Sequence, residues 1–390
     1  MSAEEQLRLQ FDRVQRGALI AGLSGLLLCA AGSWGHPEQF FRSYLLGFLF
    51  WMGIPLGSIA IALLHHLTGG QWGVPVRRPL EAATRTFPLM AALFVPVALG
   101  INRLYAWARP EAANDEVVRV KLRYLNPGFF VARSVIYFAV CIVLAWLINK
   151  WSLEQDRTAS PRLAARLEAL GGPGLILYGI VVTFSAVDWV MSLEPTWFST
   201  IYGLIFMVVQ ATQALAFAVL VVRMLAGHEP LAGVVKPQQF NDLGNLLLAF
   251  VMLWAYLGFA QFLIIWSGNL KDEITWYASR ASGGWAALAV ILIVFHFAVP
   301  FLLLLIRDLK RKTQVIARIA GLLILMSLVD VYWLVAPAFE AHGPRFHPTH
   351  LLAVVGIGGL WLAAFIRELK GRPLVALHDP NLEGALQHGD

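Results

Sequence analysis

Residues 43–67 read Ser-Tyr-Leu-Leu-Gly-Phe-Leu-Phe-Trp-Met-Gly-Ile-Pro-Leu-Gly-Ser-Ile-Ala-Ile-Ala-Leu-Leu-His-His-Leu, a run without a single Asp, Glu, Lys or Arg. About 20 apolar residues in a helix cross the hydrocarbon of a bilayer, so this stretch is long enough to span one. Comparable runs lie on both sides of it, at 17–35, 86–107, 129–149, 174–193, 198–225, 242–266, 283–306, 315–337 and 350–366, about ten spans in all by the same length rule. The composition agrees: of 390 residues 58% are hydrophobic and 14% charged, mean hydropathy is +0.66, and a water-soluble chain carries about 25% charged residues. The 33 Gly, 14 Trp and 24 Phe suit helices packed in lipid with aromatic belts at the interfaces. The expected fold class is therefore an all-α integral membrane protein. Glu4, Glu5, Arg8, Asp12, Arg13 and Arg16 make a polar, amphipathic lead-in, and with no small-residue cleavage site after the first span it does not read as a signal peptide.

Two cysteines, Cys29 and Cys141, both inside apolar runs, exclude a disulfide scaffold and a thiolate-held zinc or iron–sulfur site. No basic face recurs with interleaved aromatics, so nucleic acid is not an expected partner. There is no Gly-rich phosphate loop, no Cys-x-x-Cys-His haem attachment and no nucleophile beside a base. Redox chemistry would belong to partner subunits or to a lipid-soluble quinone.

The sides follow from the positive-inside rule. Twenty of the 30 Lys and Arg residues, among them Arg8, Arg77, Arg78, Arg85, Lys150, Arg223, Lys310, Arg367 and Arg372, fall at the termini and in the loops on their side. Both termini are thus expected in the cytoplasm. Arg103, Arg109, Arg119, Lys121, Arg123 and Arg133 cluster on the opposite side around the third loop, a surface suited to something acidic or to a partner.

Self-similarity organises the spans further. Tyr44 and Tyr202 are 158 residues apart, as are Arg78-Pro79 and Lys236-Pro237. Trp107 and Trp266, Asn102 and Gln261, and Phe138-Ala139-Val140 and Phe297-Ala298-Val299 are offset by 159. Past a polar loop expected at 150–173 the offset falls to 142, where Ser185-Ala186-Val187-Asp188 matches Ser327-Leu328-Val329-Asp330 and a proline follows each Asp by seven residues, Pro195 and Pro337. Each repeat holds an even number of spans, so the copies cross in the same sense, as parallel repeats do. The expected organisation is a lead-in and first helix (1–42), two four-helix bundles (43–193 and 198–337) and a last helix with a cytoplasmic tail (338–390), the first and last helices being peripheral.

An Asp at a span's centre costs about 2.5–3.5 kcal/mol on insertion scales and needs a reason. Asp188 and Asp330, two thirds along their spans, read either as protonatable relays or as hydrogen-bonded staples, the Ser three residues earlier lying on the same helical face. His296 lies mid-span and the repeat puts Tyr137 at the matching place; both can pass a proton, and a lone His on an apolar helix is otherwise a hydrogen-bonded core residue. Arg133 could offer Asp188 a cation, and the carboxylate would then stay ionised and unable to relay. Glu194, Gln210, Gln213 and Gln261 are available as polar stepping stones. His65-His66 reads as an interfacial cap rather than a haem ligand, because haem b needs two histidines at one depth on facing helices. Phe346-His347-Pro348-Thr349-His350 reads as a helix entry rather than a metal site.

Three long strings on loops and helix ends carry a resemblance: Lys121-Leu122-Arg123-Tyr124-Leu125-Asn126-Pro127-Gly128-Phe129-Phe130 with Arg133 and Tyr137-Phe138; Ser192-Leu193-Glu194-Pro195-Thr196-Trp197-Phe198-Ser199-Thr200-Ile201-Tyr202-Gly203; and Phe259-Ala260-Gln261-Phe262-Leu263-Ile264-Ile265-Trp266-Ser267-Gly268-Asn269-Leu270-Lys271-Asp272-Glu273 running to Trp276-Tyr277. Over about residues 40–340 the chain resembles the F subunit (ActF) of bacterial alternative complex III, a quinol:cytochrome c oxidoreductase of the bacterial inner membrane, within the NrfD-like, polysulfide-reductase membrane-anchor superfamily. The resemblance implies paired four-helix bundles and a membrane subunit without its own cofactor. It also implies partners: a related NrfD-like C subunit, an iron–sulfur subunit, and c-type cytochrome subunits that bring haem c, with quinol oxidised elsewhere in the complex. Ser267 stands where an aromatic is expected in Ile-Trp-x-Gly-Asn, which removes a ring for quinone stacking there.

The expected role is a proton path through Asp188, Asp330, His296, Tyr137, Glu194 and Gln261, with Arg119, Lys121 and Arg123 docking partners. A docking scaffold without proton transfer and a stand-alone secondary transporter are the alternatives. Against the transporter, Pro55, Pro88 and Pro96 interrupt the first bundle while only Pro300 interrupts the second, and transporter sites favour breaks in both halves.

Overall fold

The structure is a computed structural model and describes residues 3–229, 231–340 and 343–382. The chain forms α1 (Ala3–Gly32), α2 (Pro37–Thr68), α3 (Val74–Thr84), α4 (Phe87–Leu99), α5 (Pro127–Thr158), α6 (Pro161–Trp189), α7 (Tyr202–Leu225), α8 (Pro237–Gly268), α9 (Lys271–Arg280), α10 (Gly283–Leu305), α11 (Thr313–Val335) and α12 (Pro348–Lys370), with short helical turns between them. No strand occurs among the described residues. Prolines open α2, α5, α6, α8 and α12, where a missing N–H does no harm and φ is already helical. Among the described residues nine helices are long and apolar enough to cross a membrane, and the count is ten if α3 and α4, bent by 44° at a short break, together make one broken span. The protein is an all-α integral membrane protein of about ten spans.

Several boundaries differ from the sequence reading. The polar lead-in is not separate: α1 runs unbroken from Ala3 to Gly32. The polar loop expected at 150–173 is a helical hairpin, because α5 continues to Thr158 and α6 already starts at Pro161, with Ala159 in the left-handed region (φ 51°) between them. Charged residues there lie on helices that outrun the apolar stretch. The third span is not a continuous 86–107 helix; α4 stops at Leu99, before Gly100, whose hydrogen would be replaced by a Cβ 2.2 Å from the Phe41 ring.

Helices α2, α4, α5 and α6 pack around one another, α7, α8, α10 and α11 form a second such group, and α2 crosses α7 where the groups meet. Gly57 makes that crossing close, since a Cβ there would sit 2.0 Å from the Gln210 carbonyl oxygen. Lipid gives helices no hydrophobic drive to associate, so such small-residue contacts carry the packing. Helix α1 packs on α12 in the same way, and α12 in turn on α2. Lys370 pairs with Asp12 at 2.5 Å, which puts the start of α1 and the end of α12 at one end of the molecule, here the terminal face; the other end is the distal face.

Helix α10 is irregular where it matters. Leu292–Ala298 forms a π-helical segment. Pro300 accounts for it: it has no N–H for the carbonyl four residues back, His296, and its ring would clash with that carbonyl. A wider turn relieves both problems, and such π segments occur often at functional sites.

Candidate functional site

Each four-helix group buries one aspartate toward the distal face. Asp188 is the penultimate residue of α6, not two thirds along a span, because the helix ends at Trp189. A carboxylate there faces the negative end of the helix dipole. Arg133, in the second turn of α5, offsets both charges: its Nε donates to Asp188 Oδ2 at 2.7 Å and a terminal nitrogen donates to Oδ1 at 2.8 Å. Tyr137, one turn further on, donates its hydroxyl to Oδ2 at 2.7 Å. The remaining guanidinium nitrogen donates to the Tyr124 carbonyl at 2.9 Å, and the rings of Tyr124 and Phe129 lie 3.7 and 4.2 Å from the guanidinium carbon. Burial first, then the nearby Asp188 carboxylate, pushes the Tyr124 phenol up to about 12.

This bidentate pair is the strong form of carboxylate recognition. It is the Arg133 pairing that the sequence allowed for, and Tyr137 is the third donor to the same carboxylate, so Asp188 and Tyr137 both have fixed partners. Ser185 takes no part: its hydroxyl donates to the Val182 carbonyl, and Ser327 likewise to Leu323.

The second group is built differently. Asp330, 3% exposed on α11, has no salt bridge among the described residues. Its Oδ2 accepts one hydrogen bond, from the indole Nε1 of Trp254 on α8 at 3.0 Å. The Trp254 ring stacks on His296, with centroids 4.4 Å apart and planes at 18°. His296 is fully buried, and neither ring nitrogen has a hydrogen-bond partner among the described residues. Orphaned polar atoms at such depth are rare and call for an explanation. The offset that pairs Tyr137 with His296 pairs Arg133 with Leu292, so the second site has an apolar residue where the first has its cation.

Gln261 lies seven residues beyond Trp254 on the same buried face of α8, about 10.5 Å along the axis. It accepts from the Ser199 hydroxyl at 2.8 Å and donates to the Tyr277 hydroxyl at 3.0 Å, on the distal side of Trp254. Glu194 is bonded elsewhere. It is held by Arg280 at 2.7 Å, and Arg280 lies 3.7 Å over the Trp276 ring and donates to the Leu334 carbonyl, tying the loop after α6 to α9 and α11. Gln210 and Gln213 lie at the α2–α7 crossing, where Gln213 donates to the Phe50 carbonyl at 2.9 Å. Among the docking candidates, Arg119 and Arg123 are exposed, while Lys121 donates to the Pro195 carbonyl at 2.6 Å and so holds a loop.

Trp254 and Arg280 escaped the sequence reading, since nothing sets an indole or an arginine apart before its neighbours are known. A larger omission lies at the terminal face. Arg77 and Arg78, read as loop charges, are buried on α3 in a network with Glu81, Ser152, Gln155, Asp156 and Asp379. Arg77 holds Glu81 at 3.0 Å and the tail's Asp379 at 2.7 Å. Burial alone would raise the Asp379 carboxyl, but the Arg77 charge outweighs it and holds the group below its ordinary value. The signal was present: Arg77, Arg78 and Glu81 stand at helical i, i+3 and i, i+4 spacing.

Fold and site together define a multi-pass helical membrane protein with one saturated and one open intramembrane carboxylate. No protein-family model matches the chain, and no curated protein matches it either.

Proposed function

We propose that the chain is a membrane subunit of a quinol-oxidising, cytochrome c-reducing electron-transfer complex of the ActF type, and that it carries protons through its second helical group alone. One observation carries the proton reading: fully buried His296, with two unpartnered nitrogens at a π-helical turn, stacked on the tryptophan that bonds Asp330. A group that shuttles a proton must be free to gain and lose it, and a histidine or carboxyl without a fixed counter-ion at depth meets that need. Gln261, Ser199 and Tyr277 supply the distal approach. Asp188, Tyr137 and Arg133 act as a staple. The terminal face is cytoplasmic in this reading, the membrane is the bacterial inner membrane, and quinol, iron–sulfur clusters and haem c belong to partner subunits.

The assembly is tested by purifying the tagged chain from native membranes: c-type haem absorbance should co-purify with it, and a chain isolated alone and haem-free overturns the complex. In that assembly Asp330→Asn should keep subunits and haem while lowering proton movement per electron in proteoliposomes. Normal pumping by the variant leaves a scaffold, the second reading, which the exposed Arg119 and Arg123 favour; replacing those two should then release partners.

A further inference from the structure

At the distal face a cavity of about 480 Å³ opens between the end of α1, the start of α2 and the turn after α4. Gly35, His36, Glu38, Arg42, Arg103 and His347 are among its lining residues. Glu38 pairs with one terminal nitrogen of Arg42 at 2.8 Å, but the Arg42 Nε is buried with no partner. The Arg103 guanidinium makes no hydrogen bond or ion pair among the described residues; its nearest partner is the Phe41 ring, 5.8 Å away, and Phe339 lies 5.1 Å from Arg42. Two guanidinium groups against one carboxylate leave the cavity short of negative charge. A planar donor fork with an unused edge suits phosphate oxygens.

The surroundings say where the phosphate comes from. Trp34, 90% exposed, stands beside the cavity at the end of α1, as aromatic anchors do at headgroup level. We propose that this cavity binds the phosphate of a phospholipid headgroup, with Arg42 and Arg103 on the phosphate and Trp34 at headgroup level. The site is independent of the proton path, and a failure of one leaves the other standing.

The test uses the full chain in detergent, stripped of lipid and then given phosphatidylglycerol, with retention read by native mass spectrometry. Arg103→Gln should lower retention about fivefold and Arg42→Gln/Arg103→Gln further, the effect of one basic contact at a membrane surface. Arg103 is exposed, so its replacement leaves the fold intact and carries the test even if the double variant unfolds. If inorganic phosphate displaces the lipid and raises Tm in wild type but not in Arg103→Gln, the phosphate site stands with free phosphate as a competing source. Equal lipid retention by wild type and Arg103→Gln, with no response to phosphate, overturns the proposal.

Discussion

In the first helical group Asp188 receives three hydrogen bonds, two of them from Arg133; in the second Asp330 receives one, from Trp254, and its neighbour His296 receives none. The same Ser-x-x-Asp spacing thus serves two opposed electrostatic settings. The repeat offset aligns the two aspartates in sequence, but what each one is bonded to depends on residues from other helices. Arg133 against Leu292 makes that difference, and it separates a staple from a candidate relay.

The sharpest way to break the contrast is Arg133→Met. It leaves Asp188 buried and unpaired, and breaking such a pair costs about 3–5 kcal/mol, to be read as lost thermal stability in detergent. Adding Asp188→Leu should recover most of the loss; no recovery would mean Arg133 stabilises through its ring contacts instead. Gly57→Leu comes next, forcing apart the crossing of α2 and α7 that joins the two groups. Overpacking of this kind costs about 1–3 kcal/mol, and an unchanged Tm would show that the crossing is looser than its 2.0 Å approach implies.

A smaller effect tests the terminal face, which resembles the first site in pairing its buried charges. The Asp379 carboxyl is held below its ordinary value, mainly by Arg77 acting against burial. Its stabilising contribution is therefore present above the ordinary carboxylate range and lost as pH falls through the lowered value. Hydrogen exchange of residues 371–382 should rise on acidification, and Asp379→Asn should show the acid pattern already at pH 7. The smallest effect on stability belongs to Asp330→Asn. The amide keeps an oxygen for the Trp254 indole, so the change should lie within about 1 kcal/mol, far below Arg133→Met. A loss as large as that of Arg133→Met would show that Asp330 is a staple after all.

Much of the architecture was legible because hydrophobic length is a local property. The run at 43–67 announces a span without reference to anything else, and so do its counterparts. Legibility failed where a helix outran its apolar core, as α5 and α6 do at 150–173, and where a helix broke, as at Gly100. It failed again where charge was internal: Arg77 and Arg78 read as loop cations because their partners Asp156 and Asp379 lie far along the chain.

From the amino-acid order alone came the membrane class, the number of spans and the placing of Asp188, Asp330, His296 and Tyr137 among them, since each follows from local composition and spacing. Only tertiary structure decided which acid is neutralised, that Trp254 sits between His296 and Asp330, and that Glu194 belongs to Arg280. Those outcomes depend on which side chains from distant segments meet at hydrogen-bonding distance, and in a medium without water that meeting decides the state of every buried polar group.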